Sequence, residues 1–443
     1  MSNIIINSEI DSSSEYSSDS CYDKSLGEEF YGKVLKGEYM LIDKIGSGTF
    51  SAVWLSLNIL NGKLYAIKIQ HLDDYKEGKK EALILNKLNS KYLPLLHNVF
   101  DVENPIEKDY LNICIVMDLY VGSVSSLLDI RRDGLELEVS RKIIRNVVEG
   151  LMVLNEVGYI HTDIKPQNIL IKGKNEIFNN FINYVINNRI IDEINEEIKK
   201  LKNEYNLLSY EKGSSKYKRV LNKVKENKEK IYDNVGLKLR QEFRKICNNY
   251  LDEGDKIDIN DDRATYYKLD FNKQFLLNLN LMECDYILSD FGSIKKMSKQ
   301  CDEEIQTRYY MAPEVLFRCV WDKSVDIWSI GCLFFELMTG DVLFDPSEEK
   351  GKYDEDTHHI CLMLSICNMD VERFKNGRKY YKYVDKKGKF ILGYEKQTIN
   401  ECLYDSTNTE FDGQTIEYIN YFLNKVLVEP KNRISCEEML KIL

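Results

Sequence analysis

The sequence predicts an α+β chain made of a small β-rich part, a larger and mainly helical part, and a polar insertion within the larger one. Three observations carry this. Short runs of β-branched and aromatic residues crowd residues 39–69, helical periodicity takes over beyond residue 121, and residues 172–283 shift toward Asn, Lys, Glu and Ile. A length of 443 residues allows several domain-sized units with a full core. With 43% hydrophobic and 30% charged residues, the composition is globular.

The elements follow in order. Residues 1–36 are rich in Ser, Asp and Glu and poor in apolar side chains, so a disordered acidic tail is expected, either a plain solvated terminus or a phosphorylation target. Residues 37–118 read as the small part. Tyr39 to Ile42, Ala52 to Leu57 and Leu64 to Ile69 are strand-like, Asn61-Gly62 is a hairpin signal, Lys80 to Leu88 has helical spacing, and Ile113 to Met117 reads as a buried strand. Residues 119–171 and 284–443 read as the larger part. There, Ile143, Ile144, Val147, Val148, Leu151 and Leu154 form one apolar stripe of an amphipathic helix. The insertion, 172–283, has helical spacing at Ile190, Ile194, Ile198 and Leu201. It carries 12 Lys/Arg against 4 Asp/Glu between Lys212 and Lys245, and is expected to be partly helical rather than an independent compact domain.

Charge and cysteine usage exclude several classes. The chain holds 61 Lys+Arg against 72 Asp+Glu, a net −11, which is the wrong sign for holding nucleic acid by bulk charge, so no direct nucleic-acid binding is expected. Eleven cysteines without a C-x-x-C pair write neither a disulfide framework nor a zinc knuckle, and a reducing compartment, cytoplasmic or nuclear, fits. The start lacks a signal peptide, Ser2 excludes N-myristoylation, and no apolar run is long enough for a membrane helix, so no membrane association is expected.

Chemistry-bearing residues begin at Gly46-Ser47-Gly48-Thr49-Phe50-Ser51-Ala52-Val53, between two expected strands, where missing Cβ atoms let a hairpin close over phosphate oxygens. An ordinary tight turn would look the same. Lys68 closes Ala66-Ile67-Lys68, and Glu81, 13 residues further on, is placed to pair with it. The decisive stretch is His161-Thr162-Asp163-Ile164-Lys165-Pro166-Gln167-Asn168-Ile169-Leu170. It resembles the catalytic loop of eukaryotic protein kinases, with Thr162 in the place of arginine. Ser289-Asp290-Phe291-Gly292 then matches D-F-G, and Ala312-Pro313-Glu314 matches A-P-E. Asp326-Ile327-Trp328-Ser329 starts a typical large-lobe helix, and Arg433 is placed to pair with Glu314.

The order of these motifs resembles a serine/threonine protein kinase and implies a bilobal protein kinase fold, with a β-rich small lobe, a mainly helical large lobe and an insertion between catalytic loop and D-F-G. ATP and Mg²⁺ are the implied cofactors. The resemblance implies Asp163 as proton acceptor, Lys165 neutralising the transferring phosphoryl group, and Asn168 with Asp290 on magnesium. Ile45, Gly46, Ser47, Gly48, Val53, Ala66, Lys68, Glu81, Met117, Asp118 and Tyr120 would surround or support the nucleotide, Met117 as gatekeeper.

The insertion point, the His-Thr-Asp triplet and the loop from Gly46 to Leu55 further resemble SR-protein kinases. That family implies protein substrates rich in Arg and Ser, docked on acids here represented by Asp341, Asp345, Asp354, Glu355 and Asp356. Met311 departs from the arginine usual before the A-P-E-like triplet. Thr162 cannot bind an activation-loop phosphate as arginine does, which implies activity without that modification. A monomer is expected. The competing readings are a pseudokinase that scaffolds, and a kinase of another group carrying an unrelated insertion.

Overall fold

The computed structural model describes residues 30–47, 51–70, 72–104, 109–254, 256–260, 276, 279–298, 302–406 and 410–443. The chain divides into two compact units, one formed by residues 1–86, 95–120 and 174–275, the other by 87–94, 121–173 and 276–443.

The first unit is built on an antiparallel six-stranded sheet, in the order β1-β2-β3-β4-β6-β5. Its strands are β1 (Val34–Leu35), β2 (Tyr39–Ser47), β3 (Ser51–Asn58), β4 (Leu64–Gln70), β5 (Leu96–Glu103) and β6 (Leu111–Met117). Alternation sets the two faces. Leu41, Ala52, Trp54, Ile67, Ile69, Cys114 and Val116 form a core on one of them. Between β3 and β4 the turn closes through Gly62 at φ +71°, as the Asn-Gly signal requires. Helix α1 (Tyr75–Leu85) starts earlier than its apolar spacing indicated. It packs closely against the sheet because Gly78 has no side chain: a Cβ there would lie 2.5 Å from both Gln70 and Ile113 side-chain atoms.

Residues 30–36 correct the expected extent of the tail. Phe30 and Leu35 are buried, Tyr31 meets Trp54 edge-on at 5.1 Å between ring centroids, and β1 pairs with β2. Four apolar side chains in a seven-residue run suffice to order it. The rest of the expected tail, 1–29, lies outside the described residues.

After α2 (Val124–Leu128) and α3 (Leu137–Glu156) of the second unit, the chain enters the insertion. Its helices are α4 (Glu176–Asn187), α5 (Ile190–Tyr205) and α6 (Ser215–Asn248). They share one core with the sheet: Phe181, Ile190, Ile194, Leu239, Phe243 and Cys247 pack with Met40, Ile42, Leu55 and Leu57. The helical spacing of Ile190, Ile194 and Leu201 is realised in α5, where all three are buried. At the centre, the wholly buried Arg244 donates from Nε to Asp43 Oδ2 at 2.8 Å, and Tyr31 donates from its hydroxyl to Asp43 Oδ1 at 3.0 Å.

In the second unit, α3 carries the predicted stripe, and β7 (Gly122–Ser123), β9 (Ile169–Lys172) and β10 (Asp285–Leu288) form a small sheet in the order β10-β9-β7. A second ribbon pairs β8 (Tyr159–Ile160) with β11 (Lys295–Lys296). Among the described residues follow α7 (Pro313–Leu316), α8 (Ser324–Thr339), α9 (Glu355–Ile366), α10 (Tyr380–Tyr383), α11 (Ile399–Ser406), α12 (Gly413–Val426) and α13 (Cys436–Ile442). Helix α8 is buried almost all round, which is why its sequence is nearly continuously apolar. Its Gly331 admits α12, since a Cβ would lie 2.8 Å from Val426. No helix among the described residues is long and apolar enough to cross a membrane.

Removing one member of a buried ion pair leaves the other uncompensated. Asp43→Ala is expected to destabilise the first unit by about 3–5 kcal/mol, measured by urea unfolding. Asp43→Leu combined with Arg244→Met should recover most of the loss. A single-variant loss below about 1 kcal/mol would contradict the role assigned to the pair.

Candidate active site

In the first unit, Lys68 Nζ donates to Glu81 Oε1 at 2.9 Å and Oε2 at 2.8 Å. Gln70 Nε2 holds Glu81 Oε2 at 3.2 Å, and Glu81 is only 3% exposed. Val53 lies opposite Lys68 and Met117 opposite Ala66, so pairing and two-residue periodicity put these four side chains on one face of the sheet. Gly46 pairs with Val53. Ile45 packs against the core shared with the insertion helices. Asp118 follows the end of β6, its carboxylate 2.6 Å from His97 Nε2, and Tyr120 is partly buried two residues on. Ser47 ends β2, while Gly48 lies outside the described residues.

In the second unit, the loop after β8 is pinned by Asp326 at the start of α8. This fully buried carboxylate accepts the backbone N–H of His161 and that of Thr162, both at 2.8 Å. Thr162 takes a left-handed φ of +67°, a strained conformation for a β-branched residue that the fixed N–H groups sustain. Its hydroxyl donates to Ser293 O at 2.9 Å. His161 accepts the Asp163 N–H at Nδ1, so the proton sits on Nε2, which donates to Ser289 O at 3.0 Å.

Asp163 is the centre of the arrangement. Thr307 Oγ1 donates to Oδ1 at 2.7 Å, Lys165 Nζ pairs with Oδ2 at 2.8 Å, and Asn168 Nδ2 donates to Oδ2 at 3.0 Å. Burial alone would raise its pKa, but Lys165 and Thr307 outweigh burial and hold it below the usual carboxylate value. Pairing of β9 with β10 and the Ser289 N–H on Asn168 O, at 2.8 Å, bring Asp290 to the same end of that ribbon as Asn168. Asp290 is exposed and also left-handed, at φ +65°. With Nδ2 of Asn168 committed to Asp163, its amide oxygen and the Asp290 carboxylate are two hard oxygen donors. Such a pair suits a magnesium ion that keeps water and phosphate as its other ligands.

Two residues of this site have no role in the sequence reading, Thr307 and Asp326. Each acts across a long gap, 144 residues for Thr307 to Asp163 and 164 for Asp326 to Thr162, a connection that local spacing does not carry. The Arg433–Glu314 pair forms as expected, buried and bidentate, with Nη2 at 2.7 Å from Oε2.

The acids suggested for docking divide into two groups. Asp356 is tied to Arg308 at 2.8 Å, Lys379 at 2.9 Å and the Tyr383 hydroxyl at 3.0 Å, Glu355 lies 3.3 Å from Arg308, and Asp354 pairs with Lys382 and caps α9. These three already pair with the protein's own cations. Asp341 and Asp345 are exposed and have no ion-pair partner among the described residues. Met311 is buried at the end of the segment, and Gln306, at φ +70°, braces that segment by donating to Val325 O and Ser329 Oγ and accepting the Ala312 N–H.

The family model described as the protein kinase domain matches residues 39–192 and 276–442. A sequence from Acanthamoeba polyphaga mimivirus described as a serine/threonine-protein kinase is 28% identical, over 93% of this chain and 87% of its own length. The serine/threonine-protein kinase SRPK of Physarum polycephalum is 26% identical over 93% and 86%, and the protein kinase dsk1 of Schizosaccharomyces pombe 24% over 80% and 69%. Among solved structures, the kinase domain of PF14_0431 matches with a TM-score of 0.56 at 20% identity, covering 93% of this chain and 96% of that one.

Below the segment, Tyr310 donates to Glu336 Oε2 at 2.5 Å, and burial pushes the Glu336 carboxyl up to about 7. The folded state therefore holds a proton that the unfolded chain releases near the ordinary value. This contribution to stability is complete below about pH 4.5 and is lost as pH rises toward 7. Glu336→Gln should remove that dependence and stabilise the protein at pH 8 by about 1–3 kcal/mol. Thermal unfolding at pH 5 and pH 8 checks it, and equal changes at both values would contradict the assignment.

Proposed function

The chain belongs to the protein kinase family and is a protein-serine/threonine kinase, and from that premise we propose that it phosphorylates arginine-rich protein segments with Mg·ATP. The observation that carries the catalytic assignment is the arrangement about Asp163: an ionised carboxylate held by Lys165, Thr307 and Asn168. Its oxygens accept the hydrogen of a serine or threonine hydroxyl and aim that oxygen at the γ-phosphorus. As the new O–P bond forms and the bond to ADP breaks, the proton passes to Asp163. Lys165 lies close enough to Asp163 to spread positive charge over the transferring group. Lys68, fixed by Glu81, supplies a cation for the nucleotide phosphates. Asp290 and Asn168 would hold magnesium, which neutralises phosphate charge when bound.

Preference for arginine rests on Asp341 and Asp345, two exposed carboxylates open to bidentate guanidinium pairing. The resemblance to SR-protein kinases supports the same reading. Independence from an activation-loop phosphate is supported by Thr162, bonded to backbone where an arginine would be needed, and by the bracing of the segment through Gln306 and Arg308.

Asp163→Ala should lower phosphoryl transfer by about 10²–10⁴-fold while leaving the fold intact by circular dichroism. Near-normal turnover in that variant would remove Asp163 from its role. Phosphatase-treated wild-type protein, given a serine peptide library and Mg·ATP, should keep its rate and favour arginine beside the acceptor. Asp341→Asn with Asp345→Asn should weaken that preference. No gain from arginine would refute the substrate class, and a rate falling about tenfold on phosphatase treatment would refute phosphate independence.

A further inference from the structure

The insertion presents a strongly basic surface that the catalytic reading leaves without a use. Between Lys212 and Lys230 the chain carries eight Lys/Arg against two glutamates. Lys218, Arg219, Lys223, Lys225 and Lys230 are exposed along the first half of α6 and have no ion-pair partner among the described residues. Helix α5 runs antiparallel beside α6. Glu193 reaches Lys238 at 3.4 Å, and the Tyr205 hydroxyl accepts from Asn227 Nδ2 at 3.0 Å. Charge is thereby segregated. Asp192, Glu193, Glu196 and Glu197 lie beside the second half of α6, while Lys199, Lys200 and Lys202, against the single acid Glu204, lie toward its basic first half.

The chain itself holds a matching occupant. Residues 1–29 contain seven Asp/Glu, one lysine and nine serines. Their point of attachment lies against the middle of α6. Tyr31 sits under Arg240 at 4.4 Å from ring to guanidinium carbon, Lys33 is 3.7 Å from Asp233, and Gly32 lies so close to Gly236 that a Cβ on the latter would be 2.6 Å from the Gly32 Cα. From Gly236 back to Lys216 is about 30 Å of helix. Glu9, Asp11, Glu15, Asp19 and Asp23 lie seven or more residues before Phe30, a reach of about 23 Å for Asp23 and more for the others, so these five carboxylates can come to the basic half without strain.

We propose that the acidic N-terminal segment, residues 1–29, docks on the basic first half of α6 in the same molecule. Tethering beside the surface gives the tail a local concentration that a free polyanion of similar charge must exceed to displace it. The contact is made of several exposed ion pairs, each weak alone, so it weakens steeply with salt. Serine phosphorylation would add negative charge to the tail and strengthen it.

The test needs no catalysis, so its outcome is separate from that of the kinase reading. Zero-length carbodiimide cross-linking of the full chain, mapped by mass spectrometry in the monomer band, should join Glu9, Asp11, Glu15, Asp19 or Asp23 to lysines between Lys216 and Lys230. The yield should fall about fivefold or more between 0.05 and 0.5 M salt. Replacing the seven tail acids by Asn and Gln, which touches no described residue, should raise acetylation of Lys218, Lys223, Lys225 and Lys230 about threefold or more. Tail carboxylates joined only to lysines elsewhere, or unchanged acetylation, would overturn the proposal. So would equal binding of a single-stranded RNA 25-mer by wild-type and tail-neutralised protein, which would make the surface a nucleic-acid site instead.

Discussion

One buried carboxylate underlies the catalytic unit. Asp326 is placed by α8, a helix buried almost all round, and spends both oxygens on the N–H groups of His161 and Thr162. A charge in such surroundings is tolerable only when its hydrogen bonds are complete, and those two bonds hold Thr162 in a left-handed turn it would not otherwise adopt. That turn sets the direction of Asp163. From it follow the contacts with Lys165, Asn168 and Thr307, and through Thr307 the catalytic loop is joined to the segment that ends in Ala312-Pro313-Glu314. The helix supplies rigidity, the loop supplies chemistry, and one side chain transfers the first to the second.

The motifs lying within short stretches were legible in the sequence. His161 to Leu170 and Asp290 to Gly292 carry their chemistry in residue types and local spacing, and the short apolar, β-branched runs of β2, β3, β4 and β6 told which segments form the sheet. Strand β5 was missed because His97, Asn98 and Asp101 break its apolar pattern; its pairing with β6 supplies what its own sequence does not. Helix α1 began earlier than its apolar positions indicated because Tyr75 to Lys79 holds no aliphatic side chain, and Gly78, which is buried there, gives no apolar signal.

Other features depended on partners far along the chain. Thr307 and Asp326 gain their roles from residues well over a hundred positions away, and Asp354 and Asp356 meet Lys382, Lys379 and Arg308 of the same chain. A run of acids reads identically whether it faces solvent or its own lysines. Likewise the spacing of Ile190 and Ile194 announces a buried helix face without saying what covers it; the answer, a core that includes Met40, Ile42, Leu55 and Leu57, lies far upstream.

That shared core has a consequence for biosynthesis. Asp43 waits for Arg244, 201 residues downstream, before its charge is met, and Tyr232, Leu239 and Phe243, which share a core with β2 and β3, arrive in the same late stretch. At about 5–20 residues per second, the ribosome exposes the first strands for some 10–40 seconds before their cover is made. During that interval Met40, Ile42, Leu55 and Leu57 offer nascent chain to chaperones, and maturation of this half of the molecule becomes a post-insertion event timed by translation.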